Sequence, residues 1–389
     1  MAAPADAIFV DGEVHVRPGE DRTEEALAVR DGSVCRVADT YEVEFLEGIE
    51  TRRVDLAGRT VLPGFVDGDA HLFRFGSQLQ RADSGEQAGG NGNDASTSPV
   101  ETESEVPAPR SVEQARDALT TAIEDALGKG LTTVYDTVSH PDTARAYQEL
   151  AREQALPIRV RLQYHHAVKE SPTPLEAARR LGLVSGAGSD LLRVDSLHLA
   201  AGAHEEPALQ ALLETATEAG LRVSARVEDE SALDALLAAL EAGGAPAPRL
   251  AYGGPLTDSQ VQALAAIGAT VVGTPDPEVN LAARPQSSRA EHSGALPFGR
   301  LAAAGVPVGF GSDGGRLDPL RAIERATGTG PDQRLAVTEA LLAATGSGPA
   351  AASHRTGTGS LAVGSPADFV VLSDSPWETP LDERRVEMT

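Results

Sequence analysis

Cysteine is all but absent: Cys35 is the only one, so no disulfide can form within the chain and no thiolate metal cluster can be built. A single cysteine in a β-like stretch is expected to serve as a small buried apolar residue. Lysine is nearly as scarce, with Lys129 and Lys169 the only two. Aromatic residues make up 4%, so core volume has to come from Ala, Val and Leu. No run of roughly 18 uncharged apolar residues occurs. Met1 is followed by Ala-Ala-Pro-Ala-Asp, without the basic and apolar stretches of an export signal. These absences lead us to expect a soluble cytoplasmic protein. Positive charge is short as well: 33 Lys plus Arg against 58 Asp plus Glu leave a net charge of -25. A field of that sign repels nucleic acid and anionic lipid, so neither is an expected partner, and a small molecule is. An acidic surface with Arg in place of Lys resembles halophilic proteins, although GC-rich coding produces the same Arg bias.

What is present is organised in two ways. Over the first sixty residues short apolar runs alternate with turn signals: Ala7-Ile8-Phe9-Val10, Asp11-Gly12, Val14-His15-Val16, then Ala26 to Val29, Asp31-Gly32 and Val34 to Val37. This pattern predicts a small antiparallel sheet. Asp83 to Arg110 is rich in Gly, Ser, Asn, Glu and Pro and too polar to fold alone, which predicts a mobile loop leaving the first barrel strand, either a lid over the barrel mouth or a plain disordered excursion. Elsewhere strand and helix signals alternate. Eight strands are predicted at 64–69, 131–136, 158–164, 192–199, 221–225, 249–252, 269–273 and 308–311, and eight is the number that closes a barrel. Helices are expected at 111–127, 143–153, 205–219, 231–242 and 258–267. Gly220, Gly268 and Gly305 each stand at a helix end just before a strand, where a left-handed residue is needed. The fold class expected is α/β, a (β/α)8 TIM-like barrel over 61–355. A small β-sandwich-like composite domain is expected from 1–60 plus 356–389. A doubly wound open sheet is the rival, and it leaves the split β-domain unexplained.

Val61-Leu62-Pro63-Gly64-Phe65-Val66-Asp67-Gly68-Asp69-Ala70-His71-Leu72 resembles the first-strand motif of the amidohydrolase superfamily, and Gly311-Ser312-Asp313 resembles its eighth-strand end. With the turn and strand at Gly359 to Leu372, the chain resembles the amidohydrolase-3 subgroup. That resemblance implies a hydrolase of carbon–nitrogen bonds in non-peptide amides, with one or two divalent metals at the C-terminal mouth of the barrel. It also implies a further strand after Leu372, so the sequence, ending at Thr389, is expected to be short there.

The resemblance implies ligands at positions where this sequence has changed residue type. The family's His-x-His pair is Asp69-Ala70-His71 here. The position of a carboxylated lysine near the fourth strand falls on His198, and no lysine follows Lys169. A fifth-strand His is replaced by Arg226 and a sixth-strand ligand by Tyr252. Asp313 remains, and in active relatives that residue contacts metal and moves the proton of the attacking water. Asp69, His71, His198 and Asp313 are therefore the candidate metal ligands, suited to zinc, manganese or iron. Asp313 is the candidate catalytic group, and Arg226 and Tyr252 are candidate substrate-binding residues. The rival is a barrel that has lost hydrolysis and keeps a ligand-binding or structural role. Arg226 favours it. A guanidinium cannot release its proton to bind a cation, and about 4 Å from a dication its repulsion is of order 8 kcal/mol. Arg226 is instead expected to pair with Asp313 or Asp69. Gly314-Gly315 offers either backbone N–H groups to an anion or a plain turn. Trp377 is expected to seal the small β-domain or an oligomer contact. Of His165-His166, at most one can point inward, and His140, His204, His292 and His354 carry no assigned role. A homo-oligomer through the barrel helices is left open.

Overall fold

The computed structural model describes residues 3–20, 23–83, 108–166, 173–243, 247–275, 296–315, 318–328, 330, 334–346, 358–378 and 385–389. Eight strands form one all-parallel sheet in chain order: Phe65–Ala70, Leu131–Val138, Arg159–His165, Leu192–Ala200, Arg222–Arg226, Arg249–Ala251, Thr270–Gly273 and Val308–Phe310. Each lies within a few residues of its expected position. The sheet is a nearly closed barrel. Its first and eighth strands meet through the Asp313 N–H donating to the Asp69 carbonyl at 2.9 Å and the Ser312 N–H donating to Asp67 Oδ1 at 3.1 Å.

Helices Val112–Leu127, Pro141–Arg152, Glu206–Glu218, Glu230–Gly243 and Asp258–Ala266 wrap the outside, also near their expected positions. The joints are as the glycines imply: Gly220, Gly268 and Gly305 have φ of 73, 67 and 76°. A β-carbon there would meet the next carbonyl, which is why glycine closes these helices. The helix ends are capped by local chemistry. Ser111 Oγ accepts from the Gln114 N–H at 3.1 Å, and Thr257 and Gln260 form a reciprocal capping box.

Of the described helices outside the expected spans, Leu72–Asp83 bears most directly on the site. It follows the first strand directly and lies beside Val112–Leu127, with Gly76 against the Ala118 carbonyl and Gln80 Nε2 3.0 Å from Thr121 Oγ1. Position 76 admits only glycine because an added Cβ would sit 1.8 Å from that carbonyl oxygen. The Gly-rich segment therefore leaves the end of a helix rather than the first strand. Almost all of that segment lies outside the described residues.

The termini build two sheets, as the expected sandwich-like domain requires, although the first sixty residues alone had suggested a single antiparallel sheet. Ser33–Ala38, Ala26–Arg30, Ala7–Val10 and Arg52–Asp55 make a four-stranded sheet, while Val386–Met388, Phe369–Leu372, Thr60–Pro63, Glu13–His15 and Thr23–Glu24 make a five-stranded one. Two pairings are parallel, Ala7–Val10 with Arg52–Asp55 and Glu13–His15 with Thr60–Pro63, so the sheets are mixed and not purely antiparallel. The two Asp-Gly signals part ways. Asp31-Gly32, with φ of 51 and 69°, joins two paired strands, as a primed hairpin turn requires. Asp11-Gly12 instead carries the chain from one sheet to the other.

Period-two alternation decides what each face covers. Phe369 and Val371 join Phe9, Val14, Leu27 and Val61 in the core between the sheets, whereas Val370 and Leu372 join the barrel core with Leu62. Trp377 bridges the two bodies: its ring lies 4.4 Å from that of His15, and Nε1 donates to Thr338 Oγ1 at 3.0 Å on helix Val337–Thr345. Cys35 is half-buried beside the core of the four-stranded sheet. No described helix is long and apolar enough to cross a membrane.

Candidate functional site

The C-terminal ends of the first, fifth and eighth barrel strands converge on Asp69, His71, Arg226 and Asp313. The first strand is irregular where it matters. Asp67 pairs with Val134 and Ala70 with Asp136, so one strand spends three steps where its neighbour spends two. Such a bulge re-aims the side chains after it, here Asp69 and His71. Gly311 lets the eighth strand close on this bulge, since a Cβ there would lie 2.8 Å from the Asp69 Cβ. Asp313 itself has φ of 51°, a left-handed backbone uncommon for a side-chain-bearing residue. The tight turn at Gly315, whose N–H donates to the Ser312 carbonyl at 2.8 Å, follows it directly. That bond occupies the Gly315 N–H within the turn.

Asp69, His71 and Asp313 form the one group of three or more ligand-type side chains among the described residues whose donor atoms all lie within 4.8 Å of one another. His71 Nε2 is 3.8 Å from Asp313 Oδ1. Arg226 enters the same space from the fifth strand and grips Asp313 with both arms of its guanidinium. Nη1 donates to Oδ1, and Nη2 donates to Oδ2 at 3.1 Å. The fork matches the carboxylate's two oxygens, the strongest geometry open to the pair. Both carboxylate oxygens that a metal would use are thus turned toward a fixed positive charge.

The remaining predicted residues sit apart from this group. His198 is buried on the fourth strand, and its Nδ1 lies 3.1 Å from Ser224 Oγ, which in turn lies 2.8 Å from Ser196 Oγ. Tyr252 packs in the barrel core, and its hydroxyl donates to the Pro255 carbonyl at 3.0 Å.

Two further carboxylates underlie the mouth, and the sequence reading passed over both. Asp67 is pushed up to about 6, first by burial, against the pull of hydrogen bonds from Ser312 and the Asp69 N–H; the charge of Asp313 raises it further. Asp136 is pushed up to about 7, again mainly by burial, although it accepts from the Leu72 N–H and the Tyr147 hydroxyl, each at 2.7 Å. Asp67 was legible in principle, being two residues before Asp69 on a strand. Asp136 was not, because its partners come from two different helices, one of them 64 positions away.

Deeper in the barrel Asp195 lies between Arg222 and Arg249, and the Arg249 guanidinium stacks 3.9 Å from the Tyr135 ring centre. Burial works to raise the Asp195 carboxyl, but the two guanidinium charges outweigh it and hold the group below the usual carboxylate range. This network holds Asp195, Arg222 and Arg249 as paired charge inside the barrel.

A family model described as amidohydrolase family matches residues 92–389. An imidazolonepropionase of Salinispora arenicola is 29% identical over 348 residues, covering 84% of this chain and 80% of that protein. A second, from Symbiobacterium thermophilum, is 29% identical over 385 residues, covering 91% and 85%. Among solved structures, a metal-dependent hydrolase from Pyrococcus horikoshii superposes with a TM-score of 0.78 at 20% identity, covering 97% of this chain and 99% of that one. One from Pyrococcus furiosus gives 0.76 at 17%, covering 95% and 99%.

Proposed function

Starting from a chain that belongs to the amidohydrolase family, with an incomplete metal-ligand cluster at its barrel mouth, we propose that it has given up metal-dependent hydrolysis and uses that mouth to bind a small molecule. The observation that carries this reading is the Arg226–Asp313 fork. A family site needs Asp313 to face a cation and an attacking water. Here the carboxylate faces a guanidinium that cannot lose its proton. Asp69, His71 and Asp313 are donors of the right type for a divalent ion. As arranged they fit one poorly, because Arg226 already holds both oxygens of Asp313, and a dication beside it would meet a repulsion of order 8 kcal/mol before the carboxylates offset it.

The fork suits a different task. An anionic group on a ligand can exchange with Asp313 on Arg226, while Asp69 and Asp313 accept from ligand N–H groups. A small molecule carrying both a carboxylate and N–H donors matches that pattern of charge.

A second reading keeps hydrolysis of a carbon–nitrogen bond in a non-peptide amide. It is favoured by the convergence of Asp69, His71 and Asp313, and by relatives named as imidazolonepropionases. The deciding experiment measures hydrolysis of a panel of cyclic and acyclic amides by protein purified without chelator, with zinc, manganese or iron supplied. The proposal expects no turnover that depends on Asp313. Turnover abolished in Asp313→Asn, together with a stoichiometric metal in the wild type that this variant loses, would replace the first reading with the second.

A further inference from the structure

His166 and His204 stand beyond the ends of the third and fourth barrel strands, apart from the Asp69–His71–Asp313 group. His166 is 7% exposed and held in register by its N–H, which donates to the His198 carbonyl at 2.8 Å. His204 ends the short turn Ala201–Ala203, with its N–H donating to the Ala201 carbonyl at 3.2 Å. Their ring centres are 6.3 Å apart and their planes differ by 27°. His166 Nδ1 and His204 Nε2 are both buried, and neither has a hydrogen-bond partner among the described residues. Burying a polar atom without a partner costs about 1 to 3 kcal/mol. Two such atoms thus stand on neighbouring rings, each short of a partner.

From this juxtaposition we propose that His166 and His204 form a binding site for a transition-metal ion of the imidazole-preferring class, typified by Zn2+. The donors decide the class. Neutral imidazole suits zinc, copper and nickel, whereas magnesium and calcium seek oxygen. Both rings are disposed to be neutral: burial, and after it the charges of His204 and His165, hold His166 down at about 4, and burial lowers His204. The spacing also agrees. Two imidazoles sharing one ion, each bonded at about 2.0 Å, hold their ring centres roughly 5 to 6 Å apart, so a small closing of the loop after His204 completes the pair. Glu176, on helix Pro174–Leu181, is close enough for its charge to act on His166 and adds a favourable potential for a cation. Two protein donors leave the rest of the coordination sphere to water or to an incoming ligand, an open arrangement rather than a closed structural one.

The test titrates the full chain, freed of metal with chelator and exchanged into chelator-free buffer, with Zn2+ by calorimetry, alongside His166→Gln, His204→Gln and Asp313→Asn. Glutamine keeps the volume and polarity, and thermal unfolding confirms that each variant folds. The expected result is one zinc equivalent in the wild type and in Asp313→Asn. Affinity falls by at least about tenfold in each histidine variant, and excess Mg2+ does not compete. Loss of the zinc equivalent in Asp313→Asn with its retention in both histidine variants would overturn the proposal and assign the ion to the barrel mouth. Absence of zinc binding at millimolar concentration would overturn it outright.

Discussion

Replacing Arg226 with methionine tests the central pair, because methionine keeps a flexible unbranched stem and removes the charge. In the wild type one arm of the fork spans 3.1 Å, and the side chains of Arg226 and Asp313 are 23% and 19% exposed. At an effective dielectric near 20, charges about 4 Å apart attract by about 4 kcal/mol before desolvation is counted. Deleting one partner of a fully buried pair costs about 3 to 5 kcal/mol; with a fifth of each side chain in solvent we expect about 2 to 3 kcal/mol. Spread over the unfolding entropy of a chain this size, that lowers the melting temperature by roughly 2 to 4 °C. The lost charge does more than destabilise. Asp69 and Asp313, with donor atoms within 4.8 Å, then face each other and His71 with no guanidinium between them. That is an acceptable site for a divalent ion. Arg226→Met should therefore gain one zinc equivalent over the wild type, and zinc at about 100 times its dissociation constant should return about 2.7 kcal/mol. Adding Asp313→Asn should abolish the gain. Differential scanning calorimetry with and without zinc reads both effects. An unchanged melting temperature combined with no added zinc response would refute the argument that Arg226 occupies the place of a cation.

Other consequences can be checked separately. Asp136 has a folded pKa of about 7, above its unfolded value near 4, so the folded state holds the extra proton between those values. Stability should therefore fall as pH rises from about 4 to about 7, by on the order of 4 kcal/mol, and urea unfolding of Asp136→Asn should show that slope flattened. An equally steep slope in the variant would refute the assignment. Asp195→Ala strands two guanidinium groups, Arg249 being buried with it, and should lower unfolding free energy by about 3 to 5 kcal/mol. A loss below about 1 kcal/mol would show that the network is not electrostatically tight. Trp377 is the only tryptophan, so its fluorescence reports on its own contacts with His15 and Thr338. Thr338→Val should shift its emission while leaving far-UV circular dichroism unchanged.

The barrel was legible because its signals are local. Alternating apolar runs, capped helices and glycines before strands each depend on neighbours a few residues away, and the observed strands and the left-handed Gly220, Gly268 and Gly305 follow from them. Helix Leu72–Asp83 was missed because its mixed pattern, with Gly76 at its middle, reads poorly as a helix. Only the close approach to Ala118 gives that glycine its reason. The small sheets misled for a related cause: Asp11-Gly12 and Asp31-Gly32 are alike as dipeptides, and the packing of distant strands decides that one is a hairpin and the other a crossing.

For the site, residue types alone determined that positions where the family keeps metal ligands are substituted: the sequence holds Arg226 and Tyr252 where imidazoles are expected, and no late lysine. Only the tertiary structure decided what replaced it. It brings Asp69, His71, Arg226 and Asp313 into one group, turns Tyr252 into the core and leaves His198 with Ser224. The physical reason is range. Side-chain chemistry is carried by each residue itself, whereas Arg226 and Asp313 are separated by 87 positions along the chain, and their pairing exists only once the strands between them have closed the barrel.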